Sequence, residues 1–341
     1  MKQFNGTDYD TLYPKTKVEQ VEGAYTQQQI LADSTKALYG LGNDAVPDDV
    51  FISLNNCFAQ ILVTTAPNTG VTASLNGKTV SATSDSSGLA ILKIPRFGTW
   101  TVSATINGVS VSFDYEIKAI AQYEMVLSTD LETVGWDVID SISKSGNAAS
   151  IWNVGDKKTI SIGGTDYQFQ IIGFNHDTKT AGGIAGITFQ MVDCMNAVER
   201  MNETISNFGG WGKCEMRNSV MNSIFSRLPV DLQKVIKAVN KLTSAGDESA
   251  TINTTSDKLF LLSEVEIFGS TTNSFAGEGS QYDWYKAGNT KVKKFNGSAR
   301  WWWERSPYTT SRKSFCGVDD DGVARSGDAS YTQGVSFAFC V

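Results

Sequence analysis

Residues Arg300–Pro307 read RWWWERSP, and the placement of this stretch decides how the C-terminal half is built. A large aromatic side chain buries about 150 to 250 Å² when it is packed, so three adjacent tryptophans are costly to leave in water. Alternate residues of a strand point to opposite faces, which puts Trp301 and Trp303 on one side and Trp302 on the other. The expectation is a strand with at least two rings buried and Arg305 held by a carboxylate, Glu264 or Glu266. The tail that follows, YTTSRKSFCGVDDDGVARSGDASYTQGVSFAFCV, alternates fixed-looking hydrophobic residues with small polar ones. Asp321-Gly322 is a hairpin signal within it.

Working toward the N-terminus, the chain from Ser128 reads as α+β. Residues 152–174 give two or three strands joined at Gly163-Gly164. Residues 187–201, ITFQMVDCMNAVERM, form a buried run leading into helix. MRNSVMNSIFSRL (216–228) and PVDLQKVIKAVNKL (229–242) are two helices, the second starting at Pro229 with Leu232, Val235, Ile236 and Val239 on one face. KLFLLSEVEIF (258–268) returns to strand.

Residues 57–127 switch to period two, with short Val-, Ile- and Thr-rich runs separated by Asn-Gly, Ser-Gly and Pro-Arg-Phe-Gly turns. This pattern predicts an all-β, Ig-like sandwich with Trp100 as a core anchor. No cluster of ionisable groups interrupts it, which suits a spacer. In residues 1–56, Thr26 and Gln29 make a capping box ahead of Ile30, Leu31, Ala37, Leu38 and Leu41, and Gly40 and Gly42 stop the helix. That single amphipathic helix needs a partner surface, either another subunit or the next domain of its own chain.

Composition narrows the function. Hydrophobic residues make up 41% and charged residues 19% of 341 positions, which fits folded domains rather than disorder. A formal net charge of -7 argues against nucleic-acid binding. The basic stretch from Lys286 to Arg300 reads as a solvated face. No run of 18 apolar residues predicts a membrane span, and the opening MKQFNGTDYD shows no secretory signal. The five cysteines, Cys57, Cys194, Cys214, Cys316 and Cys340, have no CxxC spacing and read as buried thiols.

The sole histidine, His176, has no second His for a metal site and reads as structural. VDDDG lacks the alternating ligands of a calcium loop and reads as a turn. Asp283 and Glu304 remain a carboxylate pair of glycosidase type, because their separation is not set by sequence. The expectation is a protein that is no enzyme and has no catalytic residues, no cofactor and no metal.

Several ordered motifs carry a resemblance. Trp302-Trp303-Glu304-Arg305-Ser306-Pro307 resembles the WWLRSP signature of a family of uncharacterised domains in gut bacteria and their phages. Gly173–Asp177, Gly210-Trp211, Met216-Arg217, Leu261–Glu266, Gly334-Val335 and Ala338-Phe339 follow in that family's order, so the likeness covers about Ser128 to Val341. More narrowly, the tail is similar to the variable proteins of diversity-generating retroelements, which carry a C-type-lectin-like fold. In those proteins adenine-directed mutagenesis randomises chosen codons near the C-terminus while scaffold residues stay fixed. The chain departs from the broad family at Glu304, where Leu is common, and at Ser336-Phe337, where Arg-Pro is common; both departures fall in or beside the variable stretch and bear on the ligand. The N-terminal YDTLYPKT is similar to openings of tail proteins in phages of gut Firmicutes.

The resemblance implies residues 1–56 as an attachment segment, 57–127 as the spacer, and 128–341 as a C-type-lectin-like ligand-binding domain whose variable region is about 300–341. It implies a ligand surface of Tyr308, Thr309, Ser311, Arg312, Ser314, Asp319, Asp320, Arg325, Ser326, Asp328, Tyr331 and Thr332, on a scaffold of Trp301, Trp302, Trp303 and Arg305. EPN, QPD and WND, which calcium-dependent sugar-binding lectins use, are missing. The implied function is a phage tail fibre receptor-binding protein, an adhesin for a host-surface protein or glycan. It would be made in the bacterial cytoplasm, carried on the virion tail beside other tail proteins, and homo-oligomeric, with a trimer by analogy with tail fibres. The alternatives are a bacterial or prophage surface-display adhesin and a glycan-cleaving tail enzyme.

Overall fold

Alternation of buried and outward-facing residues builds the first sheets. In Ala59–Thr64 the inward side chains Ile61 and Val63 are fully buried while Gln60 and Thr64 face water. The computed structural model describes residues 2–4, 9–11, 59–118 and 121–341. The helix read at Thr26–Gly42 and Cys57 lie outside the described residues.

One sheet orders Leu89–Ile94, Ala59–Thr64 and Gln122–Val126; a second orders Lys78–Thr83, Gly70–Leu75, Gly98–Ile106 and Val109–Ile117. Val71, Ala73, Leu92, Trp100, Val102 and Val111 join Ile61 and Val63 in a common core. Trp100 is fully buried, and its indole N–H donates to the Arg96 carbonyl at 3.0 Å. The tight turns fall at Asn76-Gly77 (φ 48° and 78°) and Asn107-Gly108 (φ 51° and 82°). Both residues of such a turn need positive φ, which Asn and Gly tolerate. Gln122–Val126 runs parallel to Ala59–Thr64, a strand that the turn spacing did not single out.

The second half is also mostly β with short helices. One five-stranded sheet orders Lys157–Ile162, Thr165–Phe174, Ile187–Met191, Ala338–Cys340 and Leu259–Phe260. The C-terminal strand thus lies inside the sheet, and Phe339 and Cys340 are fully buried. The helix Trp136–Lys144 packs Trp136 edge-on against Phe189 (5.6 Å) and Phe339 (5.9 Å). A second sheet orders Val198–Glu199, Gln333–Gly334, Trp302–Pro307, Ser314–Val318 and Ala324–Asp328. No helix among the described residues is long and apolar enough to cross a membrane.

Three local readings are corrected. The helix begun at Val230 stops at Val235, and Val239–Gly246 is a strand. Its inward positions are Val239, Lys241 and Thr243, so a buried lysine disguised the period-two pattern. The second correction concerns 258–268: only Leu259–Phe260 is strand, and Glu264–Phe268 is a helix capped by Ser263. The Ser263 hydroxyl accepts from the Glu266 N–H while the Glu266 carboxylate accepts from the Ser263 N–H, a complete capping box. Third, residues after Met191 do not enter a helix. Cys194 and Met195 donate their backbone N–H groups to the Lys294 and Val335 carbonyls, and Val198–Glu199 pairs with Gln333–Gly334. The basic stretch is also not uniformly solvated, since Lys293 is buried with its ammonium on the Met191 and Val192 carbonyls.

Candidate functional site

The strand Trp302–Pro307 is buried along its whole length. Trp302 donates its indole N–H to the Lys291 carbonyl at 3.0 Å, and Trp303 donates to the Glu199 carbonyl at 2.8 Å. Trp301 is half-buried and meets Trp303 edge-on, ring centres 4.7 Å apart, so these two share a face as strand geometry requires. The ring of Trp301 lies across Gly317, where an added Cβ would fall 1.9 Å from its Cη2. Only glycine leaves room for it there.

Arg305 is fully buried and every guanidinium nitrogen is used. Its Nη1 and Nη2 reach Glu266 Oε2 and Oε1 at 2.5 and 2.9 Å. They also donate to the carbonyls of Leu261 (2.9 Å) and Glu278 (2.8 Å), and Nε donates to the Thr243 hydroxyl at 3.1 Å. Behind this pair runs a chain of buried charge: Glu266 to Lys241 at 2.7 Å, then Lys241 to Asp177 at 2.7 Å. Tyr282 and Thr188 donate their hydroxyls to Asp177, and His176 stacks on Tyr282 at 3.9 Å. Burial by itself would raise the Asp177 carboxyl, but Lys241 and the Thr188 hydroxyl outweigh it and hold Asp177 well below the usual range. Glu266 is held down in the same way by Arg305 and Lys241 against its own burial.

Two further buried carboxyls behave oppositely. Glu278 accepts from the Ser244 N–H and the Ser306 hydroxyl, yet burial pushes it up to about 7. Glu304 is fully buried with no hydrogen-bond partner on either oxygen among the described residues. Burial, reinforced by Glu264 and Glu278, raises it well above the ordinary carboxylate range. Its position inside the core corrects the expectation that Glu304 bears on the ligand. Ser336 and Phe337 are corrected likewise: both are fully buried, Ser336 donating to the Met191 carbonyl and Phe337 packing on Phe169.

The tail residues divide into two groups. Tyr308, Thr309, Ser311 and Arg312 occupy the loop before Ser314–Val318, while Asp328 ends the strand Ala324–Asp328 and Tyr331 and Thr332 follow it. The backbone N–H of Ala329 donates to the Lys313 carbonyl and Ser314 donates to Asp328, which brings these two segments side by side. Arg312 pairs with Asp247 and Glu248 at 3.3 and 3.2 Å. Asp319 and Asp320 lie at the other end of the hairpin, about 16 to 20 Å from Ser314 at 3.3 Å per residue. Arg325 and Ser326 lie between the ends and face water.

Ser314 and Asp319 are corrected from surface to scaffold. Both are buried, at 7% and 8% exposure. Asp319 accepts from the Asp321 and Val323 N–H groups and from Arg325, so it builds the turn that its neighbours display.

Residues distant in sequence support this face; sequence reasoning missed Asn207 and read Glu264 only as a possible partner of Arg305. Asn207 donates its amide to the Ser311 and Ser314 carbonyls, its backbone N–H to the Arg312 carbonyl, and accepts from the Asp247 N–H. Glu264 binds the N–H groups of Thr272, Asn273 and Ser274, and the Asn273 carbonyl then accepts from the Thr309 N–H. The one sequence signal was Ser263-x-x-Glu266, which announces the helix that carries both Glu264 and Glu266. All described cysteines are buried, with Cys194 and Cys214 pushed up to about 12 by burial. Such thiols are poor nucleophiles.

No curated protein matches the chain. Among solved structures, it is similar to a type II cohesin–X-dockerin complex of Acetivibrio cellulolyticus with a C-terminal interface mutation, at 22% identity, 20% of this chain, 51% of that one and a TM-score of 0.15. An N-terminal interface mutant of the same type of complex gives 20% identity, 21% and 52% coverage and a TM-score of 0.16. The chain spans about half the length of those solved chains. Residues 187–341, which hold the buried tryptophan strand, Arg305, Glu266 and the whole tail surface, match the family described as "Domain of unknown function (DUF6273)".

Proposed function

We propose that this chain is a receptor-binding protein of a phage tail, an adhesin that recognises a host-surface molecule through a diversified C-terminal face. In this reading residues 57–127 form an Ig-like spacer, residues 128–341 a C-type-lectin-like domain, and residues 1–56 the attachment segment.

The observation that carries the reading is the separation of exposed tail residues from the structure beneath them. Arg312, Arg325, Ser326, Tyr331 and Thr332 are exposed, and Tyr308, Thr309, Ser311 and Asp328 are half-buried. Trp302, Trp303, Arg305 and Glu266 are buried and bonded to each other or to backbone groups outside the exposed loops. A face of this kind tolerates replacement because the core does not depend on it. Tyr, Ser, Arg and Asp also suit recognition: Tyr gives contact area at low entropy cost, and the polar residues adapt their hydrogen bonds.

The test is to sequence the locus in several isolates. Substitutions confined to adenine-derived codons between Tyr308 and Ser336, sparing Ser314, Asp319 and Ser336, are expected. Scattered or synonymous change would overturn the diversification reading. A purified chain that adheres to host cells equally well after Arg312→Ala and Tyr331→Ala substitution would overturn the assignment of the face.

A further inference from the structure

Lys241, Asp177 and Glu266 are held in a geometry that goes beyond charge balance. The Lys241 ammonium lies 2.7 Å from Asp177 Oδ1 and 2.7 Å from Glu266 Oε1, with all three side chains almost fully buried. Backbone bonds set the two chain segments in register. The Asn240 N–H donates to the Thr178 carbonyl at 2.8 Å, and the Thr180 N–H donates to the Ala238 carbonyl at 2.9 Å. Lys241 and Asp177 are therefore placed side by side by hydrogen bonds that do not involve their own side chains. The surrounding walls are aromatic, with Lys241 Nζ 4.2 Å from the centre of the Phe260 ring and 5.5 Å from that of Tyr282.

The two carboxylates are dressed differently. Asp177 Oδ2 receives the Tyr282 hydroxyl at 2.8 Å, the Thr188 hydroxyl at 2.7 Å and the Cys340 thiol at 3.3 Å. The Tyr282 hydroxyl also reaches Oδ1 at 3.0 Å, the oxygen that faces the ammonium. Donors gathered on one oxygen stabilise the negative charge that develops there when a nucleophile attacks the carbon between them. Glu266 is spanned by Arg305 on both oxygens, which keeps it charged while its Oε1 also faces Lys241 Nζ. That is the position of a base, and a lysine becomes a nucleophile when an adjacent base takes its proton.

We infer that Lys241 and Asp177 condense into an isopeptide bond, a side-chain amide, with Glu266 as the proton carrier. The ammonium passes one proton to Glu266, the freed Nζ lone pair attacks Asp177 Cγ, and the Cγ–Oδ1 bond breaks as Nζ–Cγ forms. Of the three ammonium protons, one stays on the amide nitrogen and two leave with Oδ1 as water, one of them delivered by Glu266. The Glu266 carboxylate is thereby regenerated, and no oxidant or further reactant is consumed. Both reacting groups are ionised at rest, so the step is a slow, single event driven by fixed geometry; well-oriented intramolecular partners reach effective concentrations of about 10⁵ to 10⁸ M. Condensation cancels one positive and one negative charge and leaves Arg305 with Glu266, so no buried charge is stranded. The bond ties the strand Val239–Gly246 to the turn after Thr165–Phe174 and, like a disulfide, restricts the unfolded chain by closing the loop between them. Asp177 titrates only in chains that have not condensed.

Mass spectrometry of the purified full chain, incubated folded and then denatured, tests the bond. The wild type is expected to be one water lighter than its sequence mass, and proteolytic digestion to release a branched peptide joining Asp177 to Lys241. Chain kept in denaturant from lysis onward is expected to retain its full mass, because only the fold brings the two groups together. Lys241→Arg keeps a positive charge but blocks the condensation, and Asp177→Ala removes the acceptor; both are expected at full mass. The wild-type peptide map decides the matter even where a variant fails to fold. A wild type that keeps its full mass after prolonged incubation would overturn the bond. So would a water loss that persists in Lys241→Arg, that occurs equally in denaturant, or that maps to Asp321-Gly322, where closure of a cyclic imide also releases water.

Discussion

Arg305 and Glu266 face each other as a two-pronged ion pair, Nη1–Oε2 2.5 Å and Nη2–Oε1 2.9 Å, with neither side chain reaching water. Removing one member strands a charge in a low-dielectric interior, which typically costs about 3–5 kcal/mol. Arg305→Met is expected to lower unfolding stability by that amount in urea titrations. Arg305→Lys is expected to recover little, because an ammonium does not reproduce the planar fork. A loss below about 1 kcal/mol would show that the pair is no keystone, since surface pairs are worth that little.

Glu304 is expected to be a residue whose replacement improves the fold. Its carboxyl is buried without a hydrogen-bond partner among the described residues, and an unsatisfied buried polar group typically costs about 1–3 kcal/mol. Glu304→Leu should therefore raise the melting temperature, read by calorimetry. A lower melting temperature would mean that the carboxyl has a partner in solution.

Stability should be highest in mildly acidic buffer. Glu278 and Glu304 have folded values raised above the ordinary 4.5, so their contribution is complete below pH 4.5 and is lost as pH rises, for Glu278 through about 7. Asp177 and Glu266 are held below 3.8 and 4.5, so their contribution is present above those values and is lost as pH falls. Melting temperatures measured across a pH series should fall on both sides, and Glu278→Gln should flatten the fall toward neutral pH.

Asn207 fastens the loop that carries Ser311 and Arg312, through both its amide and its backbone. Asn207→Ala removes the amide contacts, and hydrogen exchange is expected to quicken in residues 311–314 while 187–191 keep their protection. Equal protection in both variants would assign the loop's order to other contacts.

Tyr331→Ala, at a residue 55% exposed, is expected to change stability by less than about 0.5 kcal/mol. Asp319→Ala, which removes the acceptor for two backbone N–H groups, should cost about 1 kcal/mol or more. Parallel melting curves separate displayed residues from those that build the turn.

The sequence by itself determined the features that depend on near neighbours. Period-two alternation and Asn-Gly turns mark the strands of residues 59–117 because side-chain direction and positive φ are local properties. The tryptophan strand was legible for the same reason, since three adjacent large rings have no stable exposed arrangement. Only the tertiary structure decided which charges go inside. Lys241 lies in a strand that reads as helix because its inward position is occupied by an ion, and that ion is stable there only because Asp177 and Glu266 meet it from elsewhere in the chain. The same holds for choosing Glu266 over Glu264 as the partner of Arg305, for the burial of Ser314, Asp319 and Glu304, and for Asn207 beneath Arg312. Local sequence sets direction and turn, whereas the desolvation of a polar group is balanced by partners that only the folded chain brings together.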